Sequence, residues 1–216
     1  IEKSDVVGIG MGVPGPVKVD GTVVKAVNLG WDIFNPNEEL SKLVGVPAKT
    51  GNDANVAALG EMWRGGGQGY QDMVAVTLGT GVGGGVILGG RILAGSNGAG
   101  GEIGHIHLED NETEACGCKG YGCLEQYASA TGIVRLAKRA LAASDKASVL
   151  RDVNLSAKKV WDAVKAGDEL AVGVANQYGE YLGKGLAAVA NVINPEIFVI
   201  GGGVSKAGNV VIEYME

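Results

Sequence analysis

The chain has 216 residues, of which 46% are hydrophobic and 19% charged, and its formal net charge is −6. This is the composition of an ordinary globular protein. The acidic balance and the absence of a Lys/Arg cluster argue against nucleic acid as a partner, because contact with backbone phosphates needs a positive face. No run of 18 apolar residues occurs, so the sequence predicts no membrane span.

The first 66 residues predict strands that alternate with helices. The predicted elements are a strand over 6–13, a hairpin around Asp20-Gly21, a helix from Pro36 to before Gly45, a short strand from Pro47 to the segment 52–55, and a helix that then runs to about Trp63. The first helix has a clear start, because Asn35 is a favoured N-cap and a proline is tolerated at the first helical position. Asp53 stands where a strand gives way to a helix.

A glycine-rich segment, 65–69, follows and is typical of a linker or hinge. Beyond it the pattern predicts strands over 73–78, 83–88 and 91–93, helices over 124–129, 132–143, 157–166 and 169–193, and a last strand over 196–200. Hairpins followed by strand-helix alternation favour two α/β domains over one doubly wound sheet. We expect these domains to cover residues 1–66 and 67–216.

All three cysteines lie within eight positions, and His105 precedes them by eleven: the candidate ligands are His105, Cys116, Cys118 and Cys123. Cys116 and Cys118 are too close for an unstrained disulfide, and any pairing leaves one thiol over. The spacing therefore predicts a closed structural Zn²⁺ site of the Cys3His type, in a reducing compartment such as the cytoplasm. Free buried thiols are the alternative, and His107 is a second possible imidazole ligand, although Gly104 gives His105 more room to turn toward a metal.

Two carboxylates, Glu102 and Glu125, bracket this cluster. A structural metal would fix the loop that carries both, which indicates that a polar ligand is recognised beside it. Glu125 also stands at a predicted helix start, where the helix dipole favours an acid regardless of function. Glu102 has no such local explanation.

The segment Gly79-Thr80-Gly81-Val82-Gly83-Gly84 matches the dinucleotide pattern G-x-G-x-x-G. That pattern needs a helix after its glycines, whereas Val86-Ile87-Leu88 predicts a returning strand. A glycine-rich turn after a strand instead offers several backbone N–H groups to phosphate oxygens, and Thr80 adds a hydroxyl. A turn without a ligand is the alternative.

Asp53 is the candidate general base, since a carboxylate at a strand-to-helix junction points into a cleft and can take a proton from an attacking hydroxyl. Asn52 would be a paired hydrogen-bonding group for the same ligand. A plain N-cap is the alternative reading of Asp53. Asn28, before Gly30-Trp31, is a further candidate for binding a polyol, although turn statistics explain it as well.

Taken in order, these motifs resemble the ROK family of sugar kinases and regulators, within the actin-like ATPase superfamily, and most closely its bacterial ATP-dependent glucokinases. The resemblance covers nearly the whole chain and rests on segments 12–16, 28–31, 52–55, 78–81, 102–105, 116–125 and 201–203. It implies an actin-like ATPase (ribonuclease H-like) two-domain sugar kinase fold of the α/β class.

The resemblance also implies the role of each residue. Asp53 would be the catalytic base for the 6-hydroxyl of glucose, and the other hydroxyls would be bound by Asn52, Glu102, His105 and Glu125. His105 would be shared with zinc. Gly79, Thr80 and Gly81 would bind the phosphates of ATP with Mg²⁺, and Gly201 and Gly202 would bind its adenosine. A homo-oligomer, dimer or tetramer, is implied as well.

The ends depart from the family pattern. Its members open with Asp-x-Gly-Gly-Thr, which contacts phosphate and magnesium, and no such segment precedes Val6. Ile1 is not an initiator methionine and Glu216 falls in a beginning helix, so we expect a fragment with an incomplete N-terminal domain. Such a chain alone would bind sugar and zinc but transfer phosphate poorly.

Three rival functions remain open. One is a ROK kinase for N-acetylmannosamine, N-acetylglucosamine or fructose, and another is a sugar-responsive repressor of the same family, which needs a helix-turn-helix upstream of Ile1. A Rossmann dehydrogenase is the third. Asp53 together with Gly79-Thr80-Gly81 favours a kinase, because ligand sensing needs neither a base nor a phosphate turn.

Overall fold

A computed structural model of the chain describes residues 2–26 and 29–215. The strands are β1 Ile9–Val13, β2 Ala48–Asn52, β3 Met73–Leu78, β4 Val82–Leu88, β5 Arg91–Ile92 and β6 Ile197–Gly201. The helices are α1 Pro36–Val44, α2 Asp53–Arg64, α3 Glu125–Ala128, α4 Ala130–Ala143, α5 Ala157–Lys165, α6 Glu169–Ile193 and α7 Val210–Glu213. The α/β class expected from the sequence is confirmed.

Two sheets organise these strands. β1 and β2 pair in parallel, with Ile9 opposite Ala48 and Val13 opposite Asn52. The other sheet has the strand order β5-β4-β3-β6. Because Val13 and Asn52 are the last residues of paired parallel strands, the segments that follow both strands emerge at the same sheet edge.

The hairpin predicted at Asp20-Gly21 is present as a turn but not as a pair of strands. Lys18 and Thr22 are joined by a backbone hydrogen bond of 2.9 Å across the turn, and Val17 and Val23 form only an isolated antiparallel bridge. The strand predicted over 6–13 likewise starts only at Ile9. Local β patterns without enough partners form single bridges rather than ladders.

The helix signals in the sequence were more reliable. α1 begins after Asn35, whose side chain accepts a hydrogen bond from the N–H of Asn37, and ends at Gly45 in the left-handed region with φ of 76°. α6 has the predicted bounds, 169–193, and its C-cap is Asn194, which is also left-handed, with φ of 49°. Local capping chemistry sets these ends.

Contacts between Cα atoms divide the chain into two compact units. Unit 1 comprises 1–75, 84–101 and 195–199, and unit 2 comprises 76–83, 102–194 and 200–216. The core of unit 1 includes a cluster of Ala58, Met73, Ala75 and Ile87, and that of unit 2 is built on large buried side chains such as Trp161, Tyr127 and Tyr178.

The predicted division at residue 66 falls in a turn that closes α2. The N–H groups of Gly65 and Gly67 both donate to the carbonyl of Glu61, and the Glu61 side chain accepts from Gly66. The division into 1–66 and 67–216 remains a prediction. Among the described residues, no helix is both long enough and apolar enough to cross a membrane.

Candidate active site and metal centre

Asp53 is the first residue of α2 and directly follows β2. The cap of this helix is Asn52, whose side chain accepts a hydrogen bond of 3.0 Å from the N–H of Asn55. The alternative in which Asp53 is a plain N-cap is therefore wrong. Asp53 is exposed, and its Oδ1 accepts a hydrogen bond of 2.9 Å from Ala54. The start of the helix therefore positions the Asp53 carboxylate, although Asp53 is not the cap of the helix.

Asn52 is buried, with 9% of its surface exposed, and both ends of its amide are engaged. Besides capping α2, it donates to the carbonyl of Gly15 at 3.1 Å. This tie joins the two segments that leave the ends of β1 and β2. Its role in binding a ligand stays a prediction. Asn28, another candidate from the sequence, lies outside the described residues.

Asn55 was given no role by the sequence, and it is the more unusual of the two asparagines. It is 5% exposed, and its Oδ1 has no hydrogen-bond partner among the described residues. A buried amide oxygen of this kind normally accepts a hydrogen bond from water or a ligand. The repetition of Asn three positions after Asn52 was the only sequence signal.

The four predicted metal ligands come together in unit 2. One ligand atom from each of His105, Cys116, Cys118 and Cys123 lies within 4.8 Å of every other. The Cys116 Sγ is 3.7 Å from the Nδ1 of His105, and the Sγ atoms of Cys118 and Cys123 are 3.6 Å apart. A zinc ion with bonds of about 2.0–2.3 Å to N and S has tetrahedral edges of about 3.5–3.8 Å. The donor set and its spacing therefore fit zinc.

His107 is not part of this cluster, because both of its ring nitrogens have other partners. Nδ1 lies 2.8 Å from the carbonyl oxygen of Tyr121, and Nε2 lies 2.8 Å from Asp110. The contact with Asp110 and, to a smaller extent, the contact with Tyr121 raise the pKa of His107 above its usual value. The choice of His105 over His107 from the flanking Gly104 agrees with this geometry.

The backbone around His105 is set by a close approach. Residues Ile103–His105 form a single 3-10 turn, and a Cβ at Gly104 would fall 2.1 Å from the carbonyl oxygen of Val82. Only glycine fits there. Glu102, immediately before the turn, is exposed and makes no capping hydrogen bond with its side chain.

Glu125 lies between the metal cluster and the glycine turn. Its Oε1 accepts a hydrogen bond of 2.9 Å from the Cys116 thiol and is 3.6 Å from the Nδ1 of His105. Its Oε2 would be 2.5 Å from a Cβ at Gly81. Burial, together with the Glu125 carboxylate, raises the pKa of the Cys116 thiol. Metal binding would displace this proton, because the thiolate is the ligand form.

The two glycine segments predicted to bind a nucleotide are neighbours in unit 2. The turn Gly79-Thr80-Gly81 joins β3 to β4 and is tied to α4, since the Thr131 hydroxyl donates to the carbonyl of Thr80 at 2.7 Å. Gly202 has a φ of 92°, and a Cβ there would fall 2.6 Å from the carbonyl oxygen of Leu78. The Gly201–Gly202 backbone thus lies against the residue that precedes the turn.

Two cavities border these segments. One, of about 620 Å³, is lined by Thr80, Thr131, Lys138 and Ser156, among others. The second, of about 270 Å³, is lined by Trp161, Lys165, Gly203 and Lys206, among others. Ala157 at the start of α5 lines both. A glycine turn with an adjacent cavity and basic side chains is suited to a phosphate-bearing ligand.

The fold and these groups define an α/β protein with a carboxylate at a strand-to-helix junction, a glycine turn and a Cys3His cluster beside an acid. The profile of the ROK family matches residues 2–216. The chain therefore belongs to the ROK family, as its motifs had suggested, and has that family's actin-like ATPase fold.

Relatives in this family include enzymes and regulators. A glucokinase of Halalkalibacterium halodurans is 45% identical over 98% of this chain, which spans 66% of that enzyme's length. A ROK glucokinase of Streptomyces griseus, solved with glucose and AMPPNP, superposes with a TM-score of 0.83 at 36% identity, covering 98% of this chain and 70% of the other. A ROK transcriptional regulator, homologous to the Escherichia coli MLC protein, superposes with a TM-score of 0.86 at 33% identity. The superposition covers 97% of this chain and 53% of the regulator.

Proposed function

We propose that the protein is a glucokinase, an ATP-dependent hexokinase-type phosphotransferase that transfers the γ-phosphate of ATP to the 6-hydroxyl of glucose. One observation carries the proposal: Asp53 is exposed at the start of α2 while Asn52 does the capping. An exposed carboxylate that is held at a helix start without serving as the cap is suited to accept the proton of an attacking hydroxyl. The similarity to glucokinases, one of them with glucose and AMPPNP bound, supports the same choice.

Glucose recognition is assigned to acids, amides and an imidazole. Glu102 and Glu125 can accept hydrogen bonds from sugar hydroxyls, and His105 can donate one from the ring nitrogen that does not face the metal. The amides of Asn52 and Asn28 would supply further hydrogen bonds. Asp53 would accept the proton of the 6-hydroxyl as its oxygen bonds to phosphorus and the bond to ADP breaks. Phosphoryl transfer depends mainly on positioning and charge stabilisation, so side chains of these types suffice.

ATP is assigned to unit 2. Gly79, Thr80 and Gly81 would hold the phosphates through backbone N–H groups, and Gly201 and Gly202 would lie under the adenosine. The 620 Å³ cavity beside Thr80 supports this placement. Mg²⁺, when bound with ATP, neutralises charge on the phosphates.

The Cys3His cluster is assigned to structural Zn²⁺. His105, Cys116, Cys118 and Cys123 would hold the ion, which, when bound, crosslinks the loop that carries Glu102 and Glu125. Free thiolates require a reducing compartment, so we place the protein in the cytoplasm. A homodimer or homotetramer completes the proposal, and no nucleic acid or membrane is a partner of this segment.

A second candidate is a sugar-responsive regulator of the same family, favoured by the superposition on the MLC homologue. A ROK kinase for N-acetylmannosamine, N-acetylglucosamine or fructose is the nearest enzymatic alternative. Sugar-dependent ADP release by the full-length product of the gene that encodes this chain, measured with each sugar, separates the three. Release with glucose above the others is expected, and no release with any sugar would favour the regulator.

The base is tested by Asp53→Asn. Loss of general-base catalysis should lower kcat by at least ~100-fold while glucose affinity, measured calorimetrically, stays within a few fold. The control is Asp152→Asn, a change at another exposed aspartate, on unit 2, which should leave both quantities unchanged. Lost affinity with preserved turnover would contradict the role given to Asp53.

A further inference from the structure

The ten residues between His105 and Cys116, 106–115, are held to the protein by backbone hydrogen bonds and bridges near both ends and by acidic side chains between them. We call this stretch the spacer; its acids are Glu109, Asp110, Glu112 and Glu114. Ordering a free loop costs backbone conformational entropy at every residue. How the spacer is ordered therefore affects how tightly its two ends can chelate a metal.

Glu112 is the most deeply buried acid of the spacer, with 1% of its side chain exposed. Its carboxylate is contacted by the guanidinium groups of Arg135 and Arg139, the hydroxyl of Tyr127 and the N–H groups of Thr113 and Glu114. Arg139 reaches both oxygens, at 3.0 and 3.2 Å. Such two-point pairs are strong and fix orientation.

The negative charge of Glu112 is balanced by side chains of the protein itself. Burial alone would raise the pKa of Glu112, but hydrogen bonds from Arg139, Tyr127 and the Glu114 N–H outweigh it and hold the pKa far below its usual value. Arg135 also pairs with Glu114, through Nε at 2.6 Å. Two acids thus meet two guanidinium groups on α4.

The ion pairs connect to the metal ligands through Gln126. The amide of Gln126 donates to the carbonyl of Glu114 at 2.9 Å, and its oxygen accepts from the N–H of Cys123 at 3.1 Å. The far end of the spacer is tied to α6, because Tyr181 donates to Glu109 at 2.9 Å. The rings of Tyr127 and Tyr181 stack with centroids 4.0 Å apart.

We propose that Glu112 is a positioning residue for the Cys3His cluster: paired with Arg135 and Arg139, it holds the spacer in its metal-ready conformation before any metal binds. The inference rests on the proposed metal site. In the opposite case, the metal itself orders the spacer, as in small zinc domains that are unfolded without their ion. The two cases predict different behaviour of the metal-free protein.

The experiment compares wild type with Glu112→Gln, in which a neutral amide of the same shape replaces the acid. Co²⁺ titration, followed by the thiolate-to-cobalt absorption band, should show affinity reduced by about 10–100-fold with an unchanged spectrum. In the metal-free proteins, hydrogen exchange of the amides in 106–115 should be slow in wild type and fast in the variant. Glu169→Gln, which removes an exposed acid paired with Lys146, should match wild type in both measurements.

The outcomes separate the positioning role of Glu112 from the metal site itself. Equal Co²⁺ affinity in wild type and Glu112→Gln, or a spacer that exchanges freely in metal-free wild type, would overturn the positioning role. Absence of the charge-transfer band in wild type would overturn the metal site, and the exchange comparison would still decide whether Glu112 orders the spacer. If Glu112→Gln does not fold, Arg139→Lys, which keeps the charge but loses the two-point contact, should give a smaller loss in the same direction.

Discussion

At the scale of single residues, several glycines are explained by close packing rather than by flexibility. A Cβ at Gly85 would lie 2.5 Å from the Cβ of Ala58, so this glycine lets α2 approach β4. Gly104 makes room for a carbonyl oxygen and Gly81 for the Glu125 carboxylate. The glycines of segment 79–85 therefore have different roles: they form a turn, make room for a carboxylate and allow a helix to approach. The sequence alone does not tell these roles apart.

Gly81→Ala tests the contact with Glu125. The new methyl group would displace the Oε2 of Glu125 because it would lie only 2.5 Å away. A hydrogen bond to a charged group is worth about 1.5–3 kcal/mol, so we expect KM for glucose to rise at least about tenfold, with little change in the melting temperature. Steady-state kinetics and a thermal melt measure the two effects.

The matched control is Gly173→Ala in α6, where a Cβ would meet no atom within 4 Å. Alanine is the better helix former by about 0.5–1 kcal/mol, so this variant should be slightly more stable and equally active. An unchanged KM in Gly81→Ala would mean that Glu125 does not bind the sugar from its observed position.

At the scale of elements, the 25-residue helix α6 is anchored at its start by Asp168. The Asp168 carboxylate accepts hydrogen bonds from Ala171 at 3.0 Å and from Val149 at 2.9 Å. Ser148 adds a third, at 3.1 Å. One side chain thus caps the helix and fixes the connection that precedes α5.

Asp168 also makes stability depend on pH. Burial raises its pKa, but the N–H groups of Ala171 and Val149 outweigh this and lower it below the usual value. Its contribution is therefore fully present above the unfolded pKa of about 3.9 and is lost as pH falls through the lower folded value. Asp168→Asn keeps a capping oxygen but has no charge to titrate. The difference in the free energy of unfolding between wild type and this variant, measured by urea denaturation, should therefore be smaller at pH 3 than at pH 7.

Asp168→Ala removes the cap altogether and should cost about 1–2 kcal/mol at pH 7. A difference between wild type and Asp168→Asn that grows toward pH 3 would reverse the sign expected here. The exposed Asp162, paired only with Lys158 at the surface, provides the control, since its change to Asn should cost less than about 0.5 kcal/mol.

At the scale of the whole molecule, acids outnumber bases by 24 to 18. Two of the basic side chains, Arg135 and Arg139, are already paired with Glu112 and Glu114. Charge of this sign favours a small-molecule function over nucleic-acid binding for this segment. It does not by itself distinguish a kinase from the ligand-binding part of a regulator.

We therefore expect this chain not to bind a labelled DNA duplex at protein concentrations below about 100 µM at physiological salt. That concentration is near the weakest dissociation constants of non-specific DNA-binding proteins. Fluorescence anisotropy at low and at physiological salt measures this. A rise in anisotropy that weakens steeply with salt would show a phosphate-binding surface that the charge distribution does not predict. A basic DNA-binding protein measured alongside serves as the positive control.

The sequence by itself determined the positions of the helices to within a few residues, the cluster of four donor residues and the family. Caps such as Asn35 and Asn194 act within a few residues, so α1 and α6 were predictable from local chemistry. The spacing of His105 and the three cysteines predicted a cluster of four donor atoms, which the structure brings together, because chelation imposes a short-range pattern. The hairpin at Asp20-Gly21 was less predictable, because strands depend on partners distant in sequence.

Only the tertiary structure decided which side chains are already occupied. Asn52, and not Asp53, caps α2, while Glu112 meets two arginines that follow it by 23 and 27 positions. The pairing of Glu112 is not visible locally, because packing between elements brings its partners to it, whereas the Asn52 cap acts over only three positions. The sequence names the reactive groups of this protein, and the fold determines which of them remain free to react.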